Sequence, residues 1–303
     1  MRSIKFFVLG LLAVLTVAGI MWWKRQTPAP VPVEVPVVVA PAPAPVLTPV
    51  SPIAEVDRID ELFAVDESTF PFIETISYSS RVPWLSGRPA WIADYAAHYE
   101  TSRHFIARSL NQESNYFAQK ISPGDRFNVF KKDKQIEFHL LVDLSLCKMW
   151  FYCIDLDTNT RTLLKTYTVA LGRPNPSRAS GYLTPLGKYS LGSKVAIYKP
   201  GVMGLFHNQQ TEMIRVFGTR WIPFDKELGH CTEPSKGNGL HGLPWVGEAE
   251  DLTKLGKHEG DGGVCLKAAD IEEIFAIVLT KPATMEIVAD YKTAQLPGVE
   301  EVQ

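Results

Sequence analysis

The sequence predicts a mostly β domain with a few helices, preceded by a transmembrane anchor, a proline-rich linker and a small α/β module. Apolar and polar residues alternate over residues 135–145, which is the period of a strand. Further strand-like runs follow at residues 149–154, 165–171, 213–217 and 284–289. One helix is indicated by apolar residues that share a face, at Ile271, Ile274, Phe275 and Val278.

Length and composition narrow the class of protein. The chain has 303 residues, which suffices for two ordinary domains. Its 31 Lys and Arg residues against 33 Asp and Glu give a net charge of −2, which argues against nucleic-acid binding. A hydrophobic content of 46% excludes a wholly disordered chain. Four cysteines are too few for a disulfide-based scaffold.

The N-terminal residues 1–26 have the features of a single-pass membrane anchor. Residues 6–23 form an uncharged apolar run, flanked by cations on both sides. With its neighbours this run approaches the ~20 residues that a helix needs to cross a bilayer. Trp22 and Trp23, followed by Lys24 and Arg25, stand where a cleavable signal peptide would have small residues.

Residues 27–52 form a linker composed almost entirely of proline, alanine and valine. Nine prolines in this segment remove amide donors and fix φ, so we expect an extended spacer. At ~3.1 Å per residue, such a spacer reaches roughly 75 Å. The linker therefore predicts that the folded part works at some distance from the membrane.

Residues 53–134 are predicted to form a small helical or mixed module, followed by a larger domain at 135–290 and a polar tail at 291–303. Within the module, the stretches 101–108 and 121–130 resemble a LysM carbohydrate-binding module, in which an Ile-Ala helix precedes a Pro-Gly-Asp turn and a strand. The Pro-Gly-Asp turn is common on its own, so a small helical module that does not bind sugar stays open as the alternative.

The candidate catalytic residues concentrate in the glycine-rich stretch 237–267. Glycines around one cysteine and one histidine suggest that a ligand approaches the main chain closely. Cys265 precedes the predicted helix, whose dipole is expected to lower the thiol pKa. A thiol also needs a proton acceptor near neutral pH, and His241 is the natural partner. The two residues are therefore predicted to meet in the fold.

Four short motifs here resemble the catalytic domain of the YkuD-type L,D-transpeptidases. The family's strand-borne His-Gly corresponds to His241-Gly242, and its Ser/Thr-His-Gly-Cys turn corresponds imperfectly to residues 262–267. Residues 184–191 match the family's Thr-Pro-x-Gly-x-Tyr strand entry, and residues 281–288 resemble its final strand. The resemblance covers about residues 135–290 and implies a β-sandwich catalytic domain.

The resemblance also implies roles for residues. Cys265 would be the nucleophile and His241 the base, with the Gly242 carbonyl orienting the imidazole. The backbone amides of Val264 and Cys265 would stabilise an oxyanion. Three further residues are expected beside the substrate: Gly263, Lys267 and Trp245.

Two features depart from the family pattern. The second His and the Ser/Thr of the cysteine motif are replaced by Gly263 and Gly262, and the segment between His241 and Cys265 is longer than usual. His258, inside this longer segment, is a candidate to replace the lost imidazole. These departures do not change the expected fold; they bear on the expected catalytic activity.

The function implied is a membrane-anchored enzyme of the bacterial inner membrane, facing the periplasm, that cross-links or anchors peptidoglycan stem peptides and contributes to cell shape. No cofactor and no nucleic-acid partner are expected. Two alternatives stay open: a catalytically impaired protein that binds and tethers peptidoglycan, and an L,D-carboxypeptidase that uses water as acceptor.

Other site types receive less support from the sequence. A zinc site has ligand types available at His230, Cys231, His258 and Cys265, but their spacing lacks a zinc framework. Residues 237–242 match Gly-x-Gly-x-x-Gly, yet Pro244 and the absence of a following helical pattern exclude a dinucleotide site. No Gly-x-Ser-x-Gly motif of serine hydrolases occurs.

Overall fold

A computed structural model of the chain describes residues 55–112 and 120–300. The predicted membrane anchor and proline-rich linker lie outside these ranges. Across the two ranges, every helix is too short or too polar to traverse a bilayer.

Both described ranges contain helices and strands. The α-helices are α1 (Ile59–Phe63), α2 (Ile92–His98), α3 (Arg103–Asn111), α4 (Ile214–Phe217) and α5 (Ala268–Val278). The strands are β1 (Ile73–Ser77), β2 (Arg126–Phe130), β3 (Ile136–Asp143), β4 (Lys148–Asp155), β5 (Thr160–Thr168), β6 (Ala170–Leu171), β7 (Gly187–Leu191), β8 (Ala196–Ile197), β9 (Met203–Phe206), β10 (Gln209–Glu212), β11 (Arg220–Gly229), β12 (Gly239–Gly242), β13 (Trp245–Val246), β14 (Ala249–Glu250), β15 (Val264–Leu266), β16 (Ala283–Val288) and β17 (Val299–Glu300). Short 3₁₀ turns span Leu252–Lys254 and Tyr291–Thr293. The predicted mostly β class is confirmed.

Eleven strands form one large sheet, in the order β17-β5-β4-β3-β16-β7-β11-β12-β15-β6, with β8 also paired to β11. Strand β11 pairs with β7 through one part of its length and with β12 and β8 through the other. Irregular register between Phe224 and Gly229 marks the part of β11 that pairs with β7, and such bulges bend a strand. The expected β-sandwich is therefore built from one curled sheet. Strand β11 belongs to both halves of this sheet, since one part of it pairs with β7 and the other with β12 and β8.

Strand β3 is buried on both faces, although polar residues alternate with apolar ones along it. Its apolar residues enter the main core, as expected. Its polar residues are buried because other segments bond them: His139 Nδ1 lies 2.8 Å from Thr284 Oγ1, and Asp143 accepts from Tyr291 N at 2.7 Å. Paired polar groups are tolerated inside a protein, so alternation predicted the strand but not its full burial.

The main core lies between the sheet and α5. It also includes buried residues of the N-terminal segment, by which we mean the described residues that precede β3. Four phenylalanines form a continuous row across the boundary between the predicted module and the larger domain. They are Phe105, Phe130, Phe138 and Phe151, with successive ring centroids 4.7, 6.0 and 5.4 Å apart. A second, smaller cluster around Tyr95, Ile106 and Phe127 belongs to the N-terminal segment alone. This segment thus has its own small core and also contributes to the main one.

The strand predicted at residues 213–217 is wrong, because residues 214–217 form the short helix α4. The amide of Phe217 bonds the carbonyl of Met213 at 2.9 Å, and the turn ends at Gly218 with φ +61°. Short apolar runs do not distinguish helix from strand by periodicity. The consequence matters for the site, because α4 turns Phe217 toward β12.

Candidate active site

The sheet brings Cys265 and His241 together. Strands β12 and β15 are parallel neighbours, and their register places His241 directly opposite Cys265. Residues opposite each other in adjacent strands project their side chains to the same face. The Cys265 sulfur lies 3.3 Å from His241 Nε2, which is hydrogen-bond distance for a thiol.

The imidazole of His241 is held in one orientation. Its Nδ1 lies 2.9 Å from the carbonyl oxygen of Gly242. A carbonyl only accepts, so Nδ1 carries the proton and the Nε2 lone pair faces Cys265. The rings of Phe217 and Trp221 flank the imidazole, with centroids 5.5 and 5.7 Å away. The geometry is that of a thiol donating to an oriented neutral base.

Burial favours the neutral form of both partners. It lowers the pKa of His241, although the carbonyls of Gly242 and Gly262 act in the opposite direction. It raises the pKa of Cys265 to about 12. The lowered thiol pKa expected from the helix dipole is therefore wrong. Cys265 lies in β15, before α5 begins at Ala268, and burial outweighs a dipole effect that fades within a turn.

Backbone conformation and steric crowding explain why glycine occupies the two positions before Val264 and Cys265. Gly263 has φ +64°, and a Cβ there would lie 2.5 Å from the carbonyl oxygen of Gly239 in β12. Real Cβ atoms do not approach that closely, so a side chain at 263 requires one of the two strands to move. Gly262 has φ +126°, a conformation that favours glycine strongly. The departure from the family pattern at Gly263 thus fits the close approach of β12 and β15.

Thr184 holds the segment that leads into Cys265. Its fully buried hydroxyl donates to the carbonyl of Gly263 at 2.7 Å and accepts from the amide of Gly172 at 2.7 Å. One side chain therefore fixes two loops against each other, immediately before β15. The sequence motif at residues 184–191 drew attention to this threonine as a family signature, without indicating this bridging role.

We expect Thr184→Val to lower the reactivity of Cys265 about 10-fold per folded molecule, because a small displacement of reacting groups is costly. Unfolding should also become easier, since each unpaired buried group costs about 1–3 kcal/mol. Alkylation rates and thermal unfolding measure the two effects separately. Thr184→Ser keeps both hydrogen bonds and should react like the wild type.

Thr101 offers a matched control for this prediction. It is equally buried, accepts from Phe130 N at 2.9 Å and donates to Tyr99 O at 3.0 Å, within the N-terminal segment. Thr101→Val should therefore destabilise the fold while leaving the Cys265 alkylation rate of the folded protein unchanged. Equal loss of reactivity in both valine variants would contradict a positioning role for Thr184.

Cys265 and His241 lie at a cavity of about 670 Å³, a size that suits a peptide-like ligand. Its wall includes Phe217 and Trp221, which sequence reasoning missed because α4 places Phe217, and the pairing of β11 with β12 places Trp221, beside His241. Trp245, predicted to wall this cavity, instead lines a smaller neighbouring one.

Lys267 and Val264 do not lie where the family resemblance implies. Lys267 is exposed at the N-cap of α5 and does not line the cavity. Val264, like Cys265, sits in β15 between β12 and β6, where sheet pairing occupies backbone groups. The oxyanion role of these amides stays a prediction.

His258 serves the fold instead of the cavity. Its Nε2 lies 2.8 Å from the Leu144 carbonyl, and its ring packs on Tyr182 with centroids 4.4 Å apart. It is not part of the cavity lining and does not replace a catalytic imidazole there. Within residues 55–112 and 120–300, no group of three or more His, Cys, Asp or Glu side chains is arranged to hold a metal ion.

Comparison with known proteins gives distant structural similarities. Bd1075 from Bdellovibrio bacteriovorus is 15% identical over 50% of this chain and 48% of its own, with a TM-score of 0.34. The helical cell shape determining protein Pgp2 from Campylobacter jejuni is 15% identical over 54% and 50%, with a TM-score of 0.36. A Cys-to-Ser mutant of an L,D-transpeptidase from Enterococcus faecium is 18% identical over 55% and 54%, with a TM-score of 0.29. The chain spans about half the length of each. No protein-family model and no curated protein sequence matches it.

Proposed function

We propose that this chain is a cysteine-dependent acyltransferase of the L,D-transpeptidase type, which acts on peptidoglycan stem peptides from a membrane-anchored position on the periplasmic side. One observation carries the proposal: the Cys265 sulfur lies 3.3 Å from His241 Nε2, and the Gly242 carbonyl holds the other ring nitrogen at 2.9 Å. A nucleophile, a base and a group that orients the base are the parts that covalent acyl transfer requires. The sequence motifs around these residues supply the substrate class.

The proposed reaction begins from the neutral pair. As the Cys265 sulfur attacks the carbonyl carbon of the donor peptide, its proton passes to His241 Nε2. The carbonyls of Gly242 and Gly262 favour the protonated ring against burial. When the tetrahedral intermediate collapses, the C–N bond breaks and the departing D-amino acid takes the proton from His241. A thioester on Cys265 remains.

The second half of the reaction runs in reverse order. An acceptor amine attacks the thioester carbonyl while His241 takes a proton from it. The C–S bond breaks, and the sulfur receives that proton to become a thiol again. Water in place of the amine would give the carboxypeptidase reaction from the same intermediate, so the acceptor alone distinguishes these two activities.

The tethering alternative rests on the missing histidine at Gly263. The structure offers another reason for glycine there, since a Cβ would collide with the Gly239 carbonyl. The Cys265–His241 contact also forms without any side chain at this position. These two observations favour the enzyme over the impaired binding protein.

Acylation of Cys265 tests the proposal directly. We expect the purified full-length chain to form a covalent adduct with a carbapenem, seen as a mass shift by intact-protein mass spectrometry and located at Cys265 after digestion. Cys265→Ser should show no thioester adduct, because the nucleophile is changed. Cys153→Ser is a matched control, since Cys153 is another buried cysteine and lies outside the cavity. Absence of an adduct on the wild type, or an equal adduct on Cys265→Ser, would reject the proposal.

A further inference from the structure

The cavity beside Cys265 carries more positive than negative charge. Its charged lining residues are Arg178, Arg215, Lys236, Lys254, Glu233 and Asp261. A concave site with an excess of one charge attracts ligands of the opposite sign. The lining therefore indicates an anionic group on whatever occupies the cavity.

Most of these charges already have partners. The ion pairs are Arg178–Glu233, Arg215–Glu212 and Arg173–Asp261. Lys236 and Lys254 have no ion-pair partner within the part of the chain that the structure describes. They are thus the cations of the cavity that remain available to a ligand.

Lys254 is the better placed of the two. It ends the 3₁₀ turn Leu252–Lys254, and the next residue, Leu255, packs against the cluster that contains Cys265. The amide of Gly256 bonds the carbonyl of Val169 at 3.0 Å, which ties this turn to the sheet edge. Lys254 is half-buried, whereas Lys236 is exposed. Its positive charge acts on Cys265, lowering the thiol pKa against the larger effect of burial.

We infer that Lys254, assisted by Lys236, binds a carboxylate of the acyl donor, so that the site selects donor peptides with a free carboxylate within a lysine's reach of the scissile carbonyl. This inference rests on the proposed function and adds a specificity-determining residue to it. Lys254 lies in the longer segment between His241 and Cys265, outside the motifs that resemble the family. A lysine ammonium recognises a carboxylate by charge and hydrogen bonding.

Two carboxylates of a stem peptide meet this description. One is the C-terminal carboxylate of the departing D-amino acid, and the other belongs to a side chain in the acyl part. Three synthetic tetrapeptides distinguish them: one with all carboxylates free, one amidated at the C-terminus and one amidated at the side-chain carboxylate. Acylation of Cys265 in the full-length chain is followed by mass spectrometry for each.

We expect Lys254→Gln to lower kcat/KM for the free peptide about 10- to 100-fold, mainly through KM, because a charged hydrogen bond is lost. The wild type should discriminate by a similar factor against one of the two amidated peptides, and Lys254→Gln should lose that discrimination. Lys254→Arg keeps the charge and should retain most of it. Lys257→Gln, on the same segment but outside the cavity lining, is the matched control.

The outcomes separate this inference from the proposed function. If Lys254→Gln still discriminates like the wild type, or if the wild type does not discriminate among the three peptides, Lys254 does not select the carboxylate. The enzyme proposal survives that result, provided that Cys265 is acylated. If none of the three peptides acylates the wild-type Cys265, the proposed function itself is contradicted.

Discussion

His241→Ala is expected to slow the acylation of Cys265 by about 10²- to 10⁴-fold at pH 7, the usual contribution of a general base. The reason is the environment of the thiol: burial raises the pKa of Cys265 to about 12. Without a base, the reactive thiolate would then amount to roughly one molecule in 10⁵ at neutral pH. The measurement is the second-order rate of acylation, followed by mass spectrometry.

The pH dependence gives the sharper form of this prediction. In the wild type the imidazole must be neutral, and burial lowers the pKa of His241. The rate should therefore stay level through neutral pH and fall only in acid, below the usual histidine value of about 6.5. In His241→Ala the rate should follow the thiolate fraction and rise about tenfold per pH unit through the alkaline range.

Two further results control this prediction. His258→Gln replaces a histidine of the same segment that bonds the Leu144 carbonyl and does not line the cavity; its pH profile should match the wild type. Ultraviolet absorbance from a thiolate should be absent at pH 7, because the resting pair is neutral. A wild-type rate that climbs steadily with pH, or a level profile in His241→Ala, would exclude His241 as the base.

The sequence predicted the chemistry of the site better than its surroundings. Because a thiol nucleophile needs a base, the sequence predicted that Cys265 and His241 meet, and the structure brings them together. The flanking residues Phe217 and Trp221 depend on strand pairing between β11 and β12 and on the turn α4. Neither the register of strands distant in sequence nor a four-residue helix leaves a periodic signal.

The two lysines illustrate the same limit. Motif position favoured Lys267, which the structure places on the surface at the start of α5. Lys254 had no motif, and only the packing of Leu255 against the Cys265 cluster brings it to the cavity. Local spacing fixes which residues share a helix or strand, whereas the cavity wall is assembled from loops whose paths depend on tertiary contacts.

The second large effect is expected from Gly263→His, which restores the histidine of the family pattern. We predict a loss of about 2–5 kcal/mol in the free energy of unfolding and no gain in activity. Positive φ costs a non-glycine residue about 1–2 kcal/mol, and forcing a side chain into a packed site costs about 1–3 kcal/mol more. The second cost arises here because a Cβ would lie 2.5 Å from the Gly239 carbonyl oxygen.

Gly247 supplies a control for the first of these costs. Its φ is +66°, nearly that of Gly263, yet nothing lies within 4 Å of a Cβ built on it. Gly247→Ala should therefore lose only about 1–2 kcal/mol, while Gly263→Ala loses more and also slows acylation, because β15 carries Cys265 away from His241. Denaturant unfolding and acylation rates measure both quantities. If Gly263→Ala is no less stable than Gly247→Ala, or if Gly263→His acylates faster than the wild type, the close approach of β12 and β15 is not the reason for glycine, and the tethering alternative regains its support.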